Sequence, residues 1–292
     1  DKIFKTGIQT SFLGNIKNIN YEAKNINKFK TDTTSELFSS LGILSKIDLY
    51  KKIDNFSEHF LTPKILLKYA PGEMRKEESN LKLTPTNAFR LNRFTSNDNY
   101  ETGLSATLGF DYEIKKEDRK LDFSVSQIIN QKENKKMPTT MGLDEKLSDL
   151  VGSSKYSIND KVNIGYNFAL DQNYSEFNYN EISANSKFNS LDFNINYLQE
   201  KNHIGNNEYI KSKINYEIGN DKNLTYEFKR NLITNSSEFY NLSYEYFNDC
   251  LRAGLVFRRE FYNDSEIEAE NSLMFKVTLT SFGAIDSPKF NQ

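Results

Sequence analysis

Over much of the chain apolar and polar residues alternate with a period of two, the spacing of a β-strand whose two faces meet unlike surroundings. Leu104, Leu108, Phe110, Tyr112 and Ile114 share one face, against Gly103, Ser105, Thr107, Gly109, Asp111 and Glu113 on the other. Val162, Ile164, Tyr166, Phe168 and Leu170 oppose Asn163, Gly165, Asn167 and Asp171, and Leu191, Phe193, Ile195 and Tyr197 oppose Asp192, Asn194 and Asn196. Leu224, Tyr226 and Phe228 oppose Thr225, Glu227 and Lys229; near the end, Leu273, Phe275, Val277 and Leu279 oppose Lys276, Thr278 and Thr280. With the weaker repeats, strands are predicted near residues 4–13, 15–24, 36–50, 58–70, 100–115, 118–131, 148–157, 161–171, 175–187, 190–200, 207–218, 221–232, 237–247, 250–261 and 270–282. Ser35–Lys52 also fits a helical face through Leu37, Leu41 and Leu44, and is taken as a strand.

The connections alternate between short and long. Tight turns of the Asn, Asp and Gly kind are predicted at Gly14-Asn15, Lys116-Glu117, Asn159-Asp160, Asn189, Asn220 and Asn248-Asp249. Between them lie Asn25–Ser35, Pro71–Asn99, Lys132–Lys146, Lys201–Asn206 and Tyr262–Ala269, while residues 51–57 depart from the rhythm. A soluble sandwich or propeller has no reason to keep every second connection short, whereas an outer-membrane barrel has short periplasmic turns and long extracellular loops. The expected fold is therefore all-β, an antiparallel transmembrane β-barrel present as an incomplete piece of about 15 strands from a larger barrel. On this reading the first and last predicted strands both run toward the periplasm, so that the beginning of an even-numbered barrel is absent.

Composition sharpens this. At 292 residues with 37% apolar content, the chain has few residues for a soluble core of its size, yet its 22 Phe and 17 Tyr are too many aromatics for disorder. A net charge of -2 gives no excess of cations for phosphate, so nucleic acid is not an expected partner. No apolar run approaches the eighteen residues of a spanning helix, which leaves a spanning barrel open.

Two places carry a resemblance to a known family. HFLTPKILLKYAPG followed by FRLNRFTSNDNYETGLSATLGFDY resembles the barrel of the LPS-assembly protein family, LptD, in which a proline-containing strand leads into a long loop ending in an Asn-Arg-Phe motif. Asn92, Arg93, Phe94 and Asp98 match the motif; Ser96 and Asn99 stand where the family pattern has Gly and Arg. Asp249-Cys250, the run Arg259–Tyr262 and the closing LMFKVTLTSFG resemble the family's carboxyl end, with Asp249 where many members have a second cysteine. The resemblance implies that residues 1–292 are the carboxyl-terminal part of the barrel, without the amino-terminal periplasmic domain and first strands. It also implies lipopolysaccharide as cargo, outer-membrane lipids as surroundings, and as partners a plug lipoprotein (LptE-like) and a periplasmic bridge protein (LptA-like). Cys250 would then make at most one disulfide to the absent domain, and the strand holding Phe275, Lys276, Val277, Thr278, Leu279 and Thr280 would be the lateral-gate strand. Its other edge would meet the barrel's first strand and be bare in this chain.

The remaining chemistry is sparse. On its own, Cys250 is equally a partner for an outside cysteine or an incidental thiol. His59 and His203 have no ligand-spaced Cys or carboxylate and are expected at loops or rims, so no metal, cofactor or catalytic residue is assigned. Asp118-Arg119 and Arg258-Arg259-Glu260 read as charged turns or interior charges. Lys132–Lys136 reads as a solvated loop, with contact to anionic sugar-phosphates as the sharper alternative. Pro63, inside a strand, reads as a bulge or rim position before a local weakening of pairing. The alternation places Leu104, Phe110, Phe168, Phe193 and Phe228 toward lipid, and Asn163, Asn194 and Glu227 toward the interior. Neither a Gly-x-Ser-x-Gly elbow nor a P-loop is present. The expected function is non-enzymatic placement of lipopolysaccharide in the outer leaflet. The rivals are a porin-like or receptor-type channel and an outer-membrane hydrolase, which would need His59 or His203 beside a serine.

Overall fold

The computed structural model describes the chain apart from residues 25, 27, 28, 55, 79, 80, 160, 202–204, 262–269, 280–282, 287–289 and 292. The predicted link Tyr262–Ala269, His203 and Thr280 lie outside the described residues. The strands are β1 (Lys2–Ile3), β2 (Ile8–Tyr21), β3 (Thr34–Ile47), β4 (Leu49–Asp54), β5 (Ser57–Ala70), β6 (Gly103–Lys116), β7 (Arg119–Asn130), β8 (Leu150–Ile158) and β9 (Val162–Leu170). They continue as β10 (Phe177–Phe188), β11 (Leu191–Glu200), β12 (Asn207–Ile218), β13 (Lys222–Asn231), β14 (Ser236–Phe247), β15 (Leu251–Glu260), β16 (Glu270–Leu279), β17 (Gly283–Asp286) and β18 (Phe290–Asn291). The expected class holds: the chain is all-β and antiparallel, as the wall of a β-barrel is. No helix among the described residues is long and apolar enough to cross a membrane. The chain divides into two compact units, one of residues 1–156, 166–180 and 200–206, the other of residues 157–165, 181–199 and 207–292.

In the first unit β2 pairs with β3, β3 and β4 both pair with β5, and β5, β6 and β7 follow in order. One face presents apolar rungs: Phe12, Ile43, Leu67, Ala106 and Ile129 lie side by side, with Gly14, Leu41, Tyr69 and Leu104 as the next rung. Apart from half-buried Ala106 these residues are exposed, Phe12 at 74% and Leu41 at 67%. The opposite face is covered by two long segments, residues 71–102 and 131–149, and it is there that Phe38, Ser40, Leu66, Lys68, Thr107 and Ile128 are buried. So the core lies between the sheet and its own long connections.

Three sequence expectations need correction in this unit. Gly14-Asn15 is not a turn: β2 runs straight through it, with Gly14 opposite Leu41 and Asn15 opposite Ser40. A turn-forming dipeptide is a local preference, and the ladder to β3 overrides it; the tight turn lies earlier, at Phe4–Gly7, where Gly7 has φ +83. β2 therefore leads toward the long-link side, and the short β4–β5 connection between Asp54 and Ser57 falls into the short–long rhythm, contrary to the expectation that residues 51–57 depart from it. Phe168 is not on the open face: its ring fills the space beside Gly152, and it lines a cavity with Lys82, Pro85 and Tyr179 on the covered side. Leu104 and Phe110 are on the open face, as expected.

In the second unit β12 to β16 form successive antiparallel pairs. Tyr216, Leu224, Tyr244, Leu255 and Phe275 make one rung, and Ile214, Tyr226, Leu242, Phe257 and Leu273 the next. The other face carries Lys213, Glu227, Asn241, Arg258 and Ser272, then Asn215, Thr225, Ser243, Val256 and Met274. Phe228 and Glu227 thus stand on opposite faces, as the alternation predicts. β16 does not have the bare edge expected of a final strand, because β17 and β18 pair along it.

Glycine permits one close approach that the covered face depends on. A Cβ at Gly109 would lie 2.3 Å from the Val125 carbonyl oxygen and 3.1 Å from Phe89 Cζ, so this position lets Phe89 seat on the sheet. Gly109→Ala is expected to destabilise the protein by about 1–3 kcal/mol, through a forced backbone shift. The denaturant midpoint of the detergent-folded protein should fall; an unchanged midpoint would mean that Phe89 is not held there.

Candidate functional site

The Asn-Arg-Phe loop lies buried against the covered face of the first unit. Arg93 and Glu101 side chains are 0% and 4% exposed and form an ion pair, and Lys68 of β5, 1% exposed, places Nζ 2.7 Å from the same Glu101 Oε1 without a well-aligned hydrogen bond. Arg93 also donates Nε–H to the Ala88 carbonyl at 3.3 Å and Nη2–H to Thr107 Oγ1 at 3.4 Å, while its backbone N–H reaches Glu101 Oε2 at 3.3 Å. Asn92 closes the loop by accepting the Glu101 N–H at 3.2 Å, and Phe94 is buried beside it. One carboxylate serves two cations taken from different parts of the chain. Burial works against its charge, yet Arg93 and then Lys68 hold the Glu101 carboxyl below the ordinary carboxylate range.

A second polar group lies on the same face. Lys17 of β2 donates to the carbonyls of Ser96 and Asn99, both at 2.9 Å. Asn99 is fully buried, accepts the Arg75 N–H at 3.1 Å, and donates to the Arg75 carbonyl and to Glu77 Oε2, both at 3.0 Å. Ser96 donates to Glu77 Oε2 at 2.9 Å. Arg75 lies over the rings of Tyr21 and Phe29 at 4.8 and 4.9 Å, pairs with Glu36, and donates to the Asp98 carbonyl. The two residues that depart from the family motif, Ser96 and Asn99, are thus built into the packing. Lys17, Lys68, Arg75, Glu77 and Glu101 were missed by sequence reasoning, since nothing in a strand pattern distinguishes a buried lysine from a solvated one.

The second long segment locks the first. Glu77 N–H donates to the Lys136 carbonyl at 2.8 Å, Leu83 N–H to Met141 Sδ at 3.0 Å, and Lys136 Nζ to Glu73 at 3.0 Å. Lys135 binds Asp144 and Glu145 at 3.0 and 2.6 Å. The lysines at 135 and 136 are therefore committed to the chain's own carboxylates, which leaves the solvated-loop reading as the better one.

Pro63 falls where β5 has a gap in its ladder: pairing with β3 stops at Lys46 opposite Lys64, and pairing with β4 starts at Leu49 opposite Leu61. Thr62 bridges the gap by donating to Asp48 Oδ1 at 2.8 Å. His59 has Nδ1 2.6 Å from Tyr112 OH and Nε2 3.3 Å from Ser57 Oγ. Among the described residues no group of His, Cys, Asp or Glu comes together as a metal site would require. In the second unit, Cys250 is a free, exposed thiol in the β14–β15 turn, where Asn248 Oδ1 accepts its N–H at 3.0 Å. In β16, the register carries Phe275, Val277 and Leu279 along the apolar rungs and sets Lys276 and Thr278 on the opposite face.

Removing the shared carboxylate with Glu101→Ala should cost about 3–5 kcal/mol, because two buried cations lose their partner. Trypsin should then cut faster after Arg90; an unchanged rate would show that the cluster does not hold the segment. Since the Glu101 pKa is lowered in the folded state, its contribution is present above the ordinary carboxylate range and is lost as the pH falls through the lowered value. Acid should loosen the loop in the parent protein and not in Glu101→Ala.

Among solved structures the chain is similar to a mutant of the Rh. blastica porin, at 9% identity and TM-score 0.34 over 96% of this chain and 97% of that one. A triple mutant of Rhodopseudomonas blastica porin gives 9% identity and TM-score 0.34 over 98% and 100% of the two chains. Likeness this slight carries no conclusion. No curated protein matches the chain. The family model LptD, LPS transport system D, matches residues 15–220, a span that includes the Asn-Arg-Phe loop and ends before Cys250. The chain belongs to the LptD family.

Proposed function

We propose that this chain forms part of the wall of an outer-membrane barrel that places lipopolysaccharide in the outer leaflet, without catalysing a reaction. The observation that carries the reading is the two-faced wall: apolar rungs run unbroken across β12 to β16, and the polar rungs lie behind them. Such a wall meets hydrocarbon on one side and a wet interior on the other. The cargo joins a polar, anionic headgroup to acyl chains, and a bare charge at the bilayer centre costs several kcal/mol. A polar lumen with a sideways opening lets the headgroup travel wet while the acyl chains leave into lipid. β16 is the gate strand in this reading: Lys276 and Thr278 meet saccharide, and Phe275, Val277 and Leu279 meet acyl chains. A porin-like path fits less well, because the covered face of the first unit is filled by residues 71–102 and 131–149. Family resemblance supplies the partners, an LptE-like plug and an LptA-like bridge.

A hydrolase has one observation in its favour, the serine beside His59. Against it, the third group is a tyrosine and not a carboxylate, and Ser57 and His59 lie within ladders to β4 and β6. A fluorophosphonate probe should leave Ser57 unlabelled.

Two further measurements test the transport reading. A nitroxide at Phe228 should relax with oxygen and one at Glu227 with an aqueous reagent, in lipid; equal water access at both sinks the membrane wall. A photo-crosslinker at Thr278 of the full-length protein should capture lipopolysaccharide in cells more than one at Asn194, and equal capture removes the gate. For Cys250 we propose a disulfide to the amino-terminal domain, which Cys250→Ser should abolish as a mobility shift on non-reducing gels.

A further inference from the structure

The apolar face of the first unit ends in cations at its short-turn rim. Along β6 this face runs from Leu104 through Leu108, Phe110 and Tyr112 to Ile114, and the next residue on it is Lys116. At about 3.4 Å per residue and a strand tilt of about 40°, the row from Leu104 to Ile114 rises about 25 Å, the height of the apolar band of an outer-membrane barrel. Lys51, His59, Ile114 and Leu121 share the last rung of that band, and Asp54, Ser57, Lys116 and Arg119 share the rung beyond it, beside the short turns. Lys51, Lys116 and Arg119 are exposed, and among the described residues Lys51 and Lys116 make no ion pair. Arg119 has Nε 3.6 Å from Asp118 Oδ1, an exposed contact that contributes little. Asp54, the one carboxylate on the rung, accepts the Phe56 N–H at 2.8 Å.

The cations are particular to this rim. Toward the long links the same face carries Ile16 with Ser39, Asn18 with Leu37 and Asn20 with Ser35, all uncharged. At the short turns of the second unit the corresponding rung holds Ile218, Lys222, Tyr246 and Ala253, a single cation. His59 fixes the middle of the group: the Tyr112 and Ser57 hydroxyls lie at its two ring nitrogens, so the ring is held between Lys51 on one side and Lys116 on the other. Ammonium and guanidinium groups just outside hydrocarbon suit a phosphate, and Ile114, Leu121 and the Tyr112 and Phe123 rings suit the glycerol and upper acyl chain beneath it. A zwitterionic headgroup would bring its own ammonium against three cations, which favours an anionic one. We infer that Lys51, Lys116 and Arg119, set around His59, bind the headgroup phosphate of an anionic phospholipid in the periplasmic leaflet. This rests on the chain being the wall of an outer-membrane barrel.

The test uses the full-length protein in vesicles of phosphatidylcholine and phosphatidylglycerol in equal parts, with a photo-crosslinker at Ile114. Mass spectrometry of the captured lipid should show phosphatidylglycerol over phosphatidylcholine by several-fold. A crosslinker at Leu104, the far end of the same row, should capture the two about equally. Replacing the cations by Lys51→Gln, Lys116→Gln and Arg119→Gln together should bring the ratio at Ile114 down to that at Leu104. Lys52→Gln, on the opposite face of the same rim, should leave it unchanged. Equal capture of the two lipids at Ile114, the same preference at Leu104, a preference that survives the triple replacement, or one lost in Lys52→Gln would each overturn the site. These outcomes leave the wall itself standing, because lipid is still captured; capture of neither lipid at Ile114 and Leu104 would sink the membrane reading on which the site rests.

Discussion

Everything in this chain hangs on backbone pairing. In hydrocarbon each N–H and C=O without a partner costs several kcal/mol, so a wall strand has to be satisfied along both edges. That requirement explains why strands of twelve to fourteen residues recur, as β2, β3, β5, β6 and β14 do. It fits the place of the one proline in β5, which faces Phe110 of β6 on one edge and the gap between β3 and β4 on the other. It also explains why β2 ignores a turn dipeptide: breaking at Gly14-Asn15 would give up the continuous ladder to β3, and a glycine tolerates extended backbone readily.

The side chains then divide the labour between faces, and the first unit shows how a polar interior can still hold a packed core. Its covered face is neither empty nor simply polar; Ile19, Phe38, Ala70 and Tyr100 cluster there beneath the long segments. The ion group of Arg93, Glu101 and Lys68 sits within this packing. A buried ion group is a poor source of net stability, since desolvation consumes most of its attraction. Its use is selectivity: only one placement of the loop brings the guanidinium, the carboxylate and the strand lysine together, so a misplaced segment would leave at least one charge buried alone.

Period-two alternation made the strand ladder legible, because each wall strand sits between unlike media. The same signal failed at Phe168, where an apolar residue points to the covered side because residues 82–86 lie over it. Hydrophobicity reports contact with something apolar and cannot say whether that is lipid or a folded-back segment. The motif Asn92, Arg93 and Phe94 was legible only through resemblance, and its partners were not, since Lys68 lies 25 residues upstream and Glu101 eight downstream in chemically ordinary settings. Cys250 was placed correctly at a short turn because Asn248-Asp249 is a turn signal with its own mechanism, the Asn248 side chain capping the following N–H groups.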